Sequence, residues 1–348
     1  MVTGAGSILG QGIIKSLNFS NLKKKSNVIY KIIGVDMSIE AIGLYRCDSG
    51  LAVPSASSPD YIDSIIKICK DEKIEAVFVG TDQELLPLAN AKKLIETESG
   101  AKVIGNSPEI ISICRDKWKT FEYLKKNNLS CAESSLIENK ENFVKENKFP
   151  IVVKPREGYG SLHFYVVKNE DELGTAISEI QKIGWRPILQ EYLDARDSEF
   201  TSGVTADKDG KKILSSISMK RILRNGQTIK AFVDDYDIVR ESANEAAVKL
   251  GCTGAINVQA ILQNDEVKIF EINPRFSASV PIRAVAGVNE PDILFRNNVL
   301  GEEIVVNEYQ KLVCMRYLDE IYVPLSNFKK SVENNKVENS NSFTESYF

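Results

Sequence analysis

The period of the hydrophobic positions changes along the chain. Through residues 1–107, short apolar runs (Val28 to Val35, Ala76 to Gly80, Lys102 to Gly105) alternate with stretches of helical spacing. This is the βαβ signature of a parallel sheet covered by helices. Ile32-Ile33-Gly34-Val35 ends at Asp36, and Ala76 to Gly80 ends at Thr81-Asp82-Gln83-Glu84. Polar side chains thus gather at the carboxyl ends of strands, where open α/β sheets take their ligands. A single helix is expected from Ser107-Pro108 through Arg115-Asp116-Lys117 to about Asn127, with Pro108 as a domain boundary.

Beyond that helix a two-residue alternation takes over. Phe149 to Pro155 and Phe164 to Val167 read as a hairpin with a small-residue tip at Glu157 to Ser161. A helix from Glu170 to Lys182 precedes a strand at Pro187 to Leu193, and Glu199 to Ala206 and Lys212 to Met219 read as antiparallel strands joined at Asp209-Gly210. A helix from Ser242 to Leu250 leads to strands at Gly254 to Leu262 and Glu266 to Ile272, turning at Gln263-Asn264-Asp265. The order is α+β after an α/β opening. From about Ser326 the chain is rich in Asn, Ser, Glu and Lys, which predicts a disordered or loosely attached tail. No internal repeat is visible.

Charge and composition narrow the chemistry. The 348 residues hold 44 Lys and Arg against 48 Asp and Glu, a net charge of −4, which disfavours binding to a nucleic-acid backbone. His163 is the only histidine, so multi-histidine metal sites are excluded and chemistry falls to carboxylates, amides and cations. Six cysteines are scattered without a CxxC, as in a reducing cytoplasm. With no signal-peptide pattern and no apolar run near the ~18 residues of a membrane span, the chain is expected to be cytoplasmic and soluble, without a membrane partner.

Three constellations can carry chemistry. Val2-Thr3-Gly4-Ala5-Gly6-Ser7-Ile8-Leu9-Gly10 is a strand, a glycine turn and a helix start, one residue longer than the dinucleotide fingerprint. It fits a dinucleotide, another anionic or carboxylate ligand, or a packing turn that binds nothing. Lys154, at the end of Ile151-Val152-Val153, lies beside Glu157-Gly158-Tyr159-Gly160-Ser161, so a point charge adjoins glycine amides able to approach phosphate oxygens. Glu271 and Asn273 project from one face of their strand, and the Gln263 to Asp265 turn can set Gln259 beside them. Three hard oxygen donors suit Mg²⁺ completed by phosphates and water, and Arg275 can neutralise a transferring phosphoryl group.

These residues, in this order, resemble the ATP-grasp superfamily, most closely its carbamoyl-phosphate-synthetase-like, carboxylate–amine ligase branch, over about residues 1–305. The most specific stretch is Gly254-Ala255-Ile256-Asn257-Val258-Gln259 with Ile269-Phe270-Glu271-Ile272-Asn273-Pro274-Arg275. The resemblance implies an α/β and α+β chain: a Rossmann-like pre-ATP-grasp domain at 1–107, then a two-lobed ATP-grasp fold. Its N-terminal lobe with a glycine-rich lid would span 108–190, and its C-terminal lobe with the metal site 191–310, before a C-terminal segment at 311–348. It implies ATP and Mg²⁺, or Mn²⁺ in its place, with Lys117 and Lys154 on the phosphates and Gly158, Tyr159, Gly160 and Ser161 folding over them. Glu191, Tyr192 and Leu193 would offer backbone groups to adenine, and Glu199 would hold the ribose. Gln259, Glu271 and Asn273 would hold the metal with Arg275 beside the γ-phosphate, while Lys220, Arg221 and Arg283 are candidates for γ-phosphate or substrate carboxylate. The family often has Glu where Gln259 stands, which weakens one of two metal sites. A carbamoyl-phosphate synthetase large subunit contains two such units in a far longer chain, so that activity is not expected of one unit.

The implied activity is an ATP-dependent carboxylate–amine ligase acting through an acyl phosphate on small-molecule carboxylate and amine substrates, with a homodimer admitted. The alternatives are an ATP-binding regulatory or accessory subunit without turnover, and an NAD(P)-dependent Rossmann oxidoreductase or epimerase, which leaves Gln259, Glu271, Asn273 and Arg275 unexplained. His163, Trp118, Trp185, Cys114 and Cys252 read as packing residues, and Lys23-Lys24-Lys25 as a solvated loop. Asp82 and Glu84 face the expected crevice as candidates for substrate contact.

Overall fold

A computed structural model of the chain describes all residues except 24–26, 159–161, 195–197, 339–341 and 346–348. The opening layer is a sheet in which Val2 bridges the strands Ile33–Asp36 and Ala76–Phe78, all parallel, flanked by Lys102–Ile104 on one side and Ser49–Ala52 on the other. Helices Ile8–Lys23, Tyr61–Asp71 and Asp82–Ser99 cover it. The strand expected from Val28 starts only at Ile33, because the Asn21 side chain takes both the Tyr30 N–H and its carbonyl at 2.8 Å. Two helices, Pro108–Arg115 and Lys117–Lys126, replace the single one expected. Asp116 leaves helical geometry between them, and its carboxylate caps the amides of Trp118 and Lys119 while holding Arg156.

The second layer is an antiparallel sheet of four strands, in the order Ser134–Leu136, Pro187–Glu191, Ile151–Pro155 and Tyr165–Val167. Helices Lys140–Asn147 and Glu170–Lys182 pack on it through Phe143, Leu173 and Ile180. The hairpin read from the sequence is present, with Ile151 opposite Val167, but its tip at Tyr159, Gly160 and Ser161 lies outside the described residues.

The third layer is an antiparallel sheet of six strands, in the order Glu266–Asn273, Ala255–Gln263, Glu199–Ala206, Ile213–Arg224, Gln227–Val233 and Leu312–Met315. The last two were not expected. Asn225 and Gly226 both take positive φ in the hairpin turn, a dipeptide suited to that geometry. Helix Asp237–Leu250 buries Val239, Ala243 and Ala247 against one face, and Ile8–Lys23 and Val280–Ala286 cover part of the other.

The polar C-terminal segment is more ordered than its composition suggests. Helix Leu325–Asn334 stacks Phe328 on Tyr45, with ring centroids 6.0 Å apart. Strand Lys336–Glu338 then pairs antiparallel with Ser49–Ala52, and Val337 is buried. A few well-placed apolar residues suffice when a preformed sheet edge receives them.

Candidate functional site

The carboxyl ends of the opening sheet and the facing surfaces of the other two sheets enclose a cavity of about 710 Å³. Strand alternation sends Lys154 into it, nearly buried, with Nζ 2.7 Å from Gln190 Oε1 and 5.6 Å from the Phe270 ring centroid. Burial lowers the Lys154 ammonium to about 7, opposed by Glu271 and reinforced by Lys117. Lys117 begins its helix at the Asp116 cap and donates to the Gly158 carbonyl at 2.8 Å. Burial alone would raise the Glu271 carboxyl. The charges of Lys117, Lys154 and Arg275 and a 3.1 Å hydrogen bond from Asn273 Nδ2 outweigh it, so the group stays below its ordinary value and ionised.

Gln259 stands opposite Glu271 and Asn257 opposite Asn273, with a bulge between Gln259 and Ala260. Each expected metal residue therefore lines the same wall. The amide oxygens already meet cations: Gln259 Oε1 accepts from Arg221 Nη2 at 2.7 Å, and Asn273 Oδ1 from Arg275 Nη2 at 3.1 Å. Each retains a second lone pair, so one carboxylate and two amide oxygens fit a hard divalent ion whose remaining ligands come from phosphate and water. Among the described residues no group of three or more His, Cys, Asp or Glu is arranged for a metal.

Glu191, Tyr192 and Leu193 line the cavity at the junction of the two antiparallel sheets. The Glu191 N–H is taken by the Glu133 carbonyl at 2.8 Å and its carboxylate by Lys268 at 2.9 Å, so this residue has less to offer adenine than expected. Glu199 is paired with Arg221 at 2.6 Å. Arg275 is held by Asp82 of the opening layer.

Three expectations are corrected. Lys220 lies on the opposite face of its strand from Arg221, with Nζ 5.2 Å from the Phe232 ring, and it does not line the cavity. Arg283 is without solvent exposure and bonded to Glu290 at 2.8 Å, so it cannot touch a ligand directly. Glu84 points inward under the glycine turn, where the hydroxyls of Thr3, Tyr61 and Thr81 donate to it. His163 contacts the Tyr165 hydroxyl and the edge of Trp185, away from the cavity.

In the glycine turn, Gly6 N–H donates to Asp36 at 2.9 Å, and a side chain on Gly10 would overlap the Gly4 carbonyl. Ser7, Ile8 and Leu9 reach the cavity wall. Sequence reasoning passed over Asn257, although it shares the two-residue period of Gln259. It also missed Arg316, which donates to the Thr228 carbonyl at 3.3 Å and to that of Ala278, and which no local pattern marks.

Comparison with known proteins agrees with this architecture. The model of the ATP-grasp domain matches residues 114–279, and that of the PylC-like N-terminal domain matches residues 11–104. The chain contains an ATP-grasp domain preceded by a PylC-like N-terminal domain. It is 29% identical over 239 residues to the C-terminal section of the carbamoyl phosphate synthase large chain of Aquifex aeolicus, covering 64% of this chain and 43% of that one. It is 27% identical over 273 residues to the carbamoyl phosphate synthase large chain of Campylobacter jejuni, covering 71% and 24%. The chain thus spans less than half the length of these curated relatives. Solved structures share its fold. The biotin carboxylase domain dimer of Hydrogenobacter thermophilus 2-oxoglutarate carboxylase, in complex with MgADP, ADP and bicarbonate, has a TM-score of 0.70 at 17% identity, over 93% of this chain and 78% of that one. The Staphylococcus aureus N5-carboxyaminoimidazole synthetase complexed with ADP has a TM-score of 0.69 at 16% identity, over 96% and 84%.

Proposed function

We propose that the chain is an ATP-dependent ligase that joins a small-molecule carboxylate to an amine through an acyl phosphate, releasing ADP and phosphate. The observation that carries this reading is the convergence of Lys154, Glu271, Gln259, Asn273 and Arg275, from two sheets, on one enclosed cavity. The ATP-grasp domain match and the nucleotides named in the two related structures support it.

A carboxylate is a poor electrophile because its leaving group is oxide, and phosphorylation supplies a better one. The protein then has to position the reactants and neutralise charge, which calls for cations and amides rather than an acid–base histidine. Lys154, held close to neutrality, takes up a proton when phosphate oxygens arrive and becomes their counter-charge. Lys117 reaches the same region from the helix start, while Glu191 to Leu193 border the base and Glu199 the ribose. Glu271, Gln259 and Asn273 would hold Mg²⁺, or Mn²⁺ in its place, which when bound screens phosphate charge. Arg275 serves the γ-phosphate, and the three layers bordering the cavity limit the access of water to the acyl phosphate.

The partners in this reading are small molecules, with nucleic acid and membrane outside it. Among the described residues no helix is long and apolar enough to cross a membrane, and the scattered thiols fit a cytoplasmic location. A homodimer is admitted, as the H. thermophilus domain is named a dimer. A screen of carboxylic acids and amines, amino acids first, for substrate-stimulated ADP release tests the proposal, with Glu271→Ala as control. Stimulation lost in that variant supports it. Binding of NAD(H) but not Mg-ATP rejects it.

A further inference from the structure

The strand Ala255–Gln263 lays three alternate residues along the cavity wall: Ile261, Gln259 and Asn257. Ile261 clusters with Leu193 at the end bordered by Glu191 to Leu193. Two residues of strand rise carry Asn257 about 7 Å past Gln259, away from that end. There it is paired with Asn273, and Asn273 accepts from Arg275. Asn257 is thus placed where the far end of a triphosphate would meet its acceptor.

The orientation of its amide follows from its neighbours. Oδ1 accepts from Arg283 Nη2 at 2.6 Å and from Thr201 Oγ1 at 2.8 Å. A guanidinium only donates, so the oxygen and not the NH₂ group must face it. Arg283 also donates to Thr201 Oγ1 at 3.1 Å, closing a triangle in which the hydroxyl proton has to point at Asn257. Asn257 is 2% exposed, and its Nδ2 has no acceptor among the described residues. This donor, carried by a nearly buried side chain that lines the cavity, has no protein partner among the described residues and is open to a ligand oxygen. Sequence and packing reserve room for the triangle. Gly203 is the Cα partner of Asn257 on the next strand, and a Cβ there would overlap both the Arg283 guanidinium and the Glu290 carboxylate that anchors it.

We propose that Asn257 donates from Nδ2 to an oxygen of the phosphoryl group in transfer, and that Arg283 and Thr201 are positioning residues that fix it as a donor. This rests on the reading of the cavity as a triphosphate site. During transfer an acceptor oxygen bonds to the γ-phosphorus while the bond from that phosphorus to the bridging oxygen breaks, its electron pair leaving with ADP. Charge spreads over the three remaining γ-oxygens, and a donor already oriented toward them needs no rearrangement as it develops. Turned this way, Asn257 cannot be a further metal ligand. Arg283, expected from the sequence to contact substrate, acts instead one residue removed.

The test is titration calorimetry with Mg-ADP alone and with Mg-ADP plus aluminium fluoride, a planar mimic of the phosphoryl group in transfer. In the wild-type protein the fluoride tightens nucleotide binding by about tenfold or more. Asn257→Asp keeps the size of the side chain but presents an oxygen. It binds Mg-ADP within about twofold of wild type, yet loses the tightening. Arg283→Lys, which keeps a donor on Oδ1, retains most of it. Tightening undiminished in Asn257→Asp overturns the proposal, as does a wild-type protein that binds Mg-ADP but shows no tightening. Equal loss of both affinities in Asn257→Asp assigns Asn257 a structural role and also overturns it. A wild-type protein that fails to bind Mg-ADP rejects the nucleotide reading itself, and this inference with it.

Discussion

Asp82, in the first turn of the helix that follows the strand Ala76–Phe78, grips Arg275, just past the end of an edge strand of the six-stranded sheet, through hydrogen bonds of 2.8 and 3.1 Å. Side-chain exposure of 22% and 14% makes this a partly buried, bidentate pair. It ties the opening layer to the wall that carries Glu271 and Asn273, and fixes the guanidinium at the rim of the cavity.

Asp82→Asn keeps the shape and removes the charge, so the stability lost at neutral pH is expected to be about 1–3 kcal/mol in urea denaturation. Burial would raise the Asp82 carboxyl, but Arg275 holds it below its ordinary value of 3.8. A folded-state value below the unfolded one stabilises above the unfolded value, and the gain is lost as pH falls through the folded value. The variant therefore loses part of the acid limb of the wild-type stability curve. Parallel curves for the two proteins would show that the pair contributes nothing.

Lys154 gives a slope of the same sign at higher pH. The folded protein releases its proton near 7 while the unfolded chain keeps it to about 10.5. Between those values the unfolded state binds more protons, so stability rises with pH across that window, and Lys154→Met flattens the rise. When phosphate arrives the ammonium form is favoured again. Calorimetry of Mg-ATP binding at about pH 8, in two buffers of different ionisation heat, should show net proton uptake that Lys154→Met abolishes. Release or no exchange in the wild-type protein contradicts this.

Gly203→Ala tests the buried triangle by folding alone. The added methyl has to displace the Arg283–Glu290 pair, neither member of which is exposed. Breaking such a pair or overpacking beside it costs about 3–5 kcal/mol. A loss under about 1 kcal/mol in chemical denaturation would mean that the pair can shift freely.

The layer order was legible because each sheet carries its own period: isolated apolar runs for the parallel strands, alternation for the antiparallel ones. Lys154, Gln259, Glu271 and Asn273 stand on strands of clear pattern, with Arg275 just past the end of one, and the structure brings them to one cavity. What failed was largely tertiary in origin. The break at Asp116 is a local cap whose carboxylate is also held by Arg156, forty residues away, and the ordering of the tail depends on a sheet edge and Tyr45. A charge such as Lys220 or Arg283 announces its type in the sequence but not its face. Lys220 falls behind the sheet by the same alternation that sends Arg221 forward, and Arg283 meets Glu290 in the interior. Asn225-Gly226, by contrast, was a local turn signal that could have revealed the strand Gln227–Val233.

The central claim is that Lys154 and Glu271, from different sheets, serve one triphosphate. A double-mutant cycle on Mg-ATP affinity by titration calorimetry, with Lys154→Met and Glu271→Gln, tests it most directly. Each single variant should weaken binding by about tenfold or more, and the pair by clearly less than the product of the two, because both act on the same ligand. Wild-type protein without measurable Mg-ATP binding, or variants that bind as well as wild type, would contradict the account.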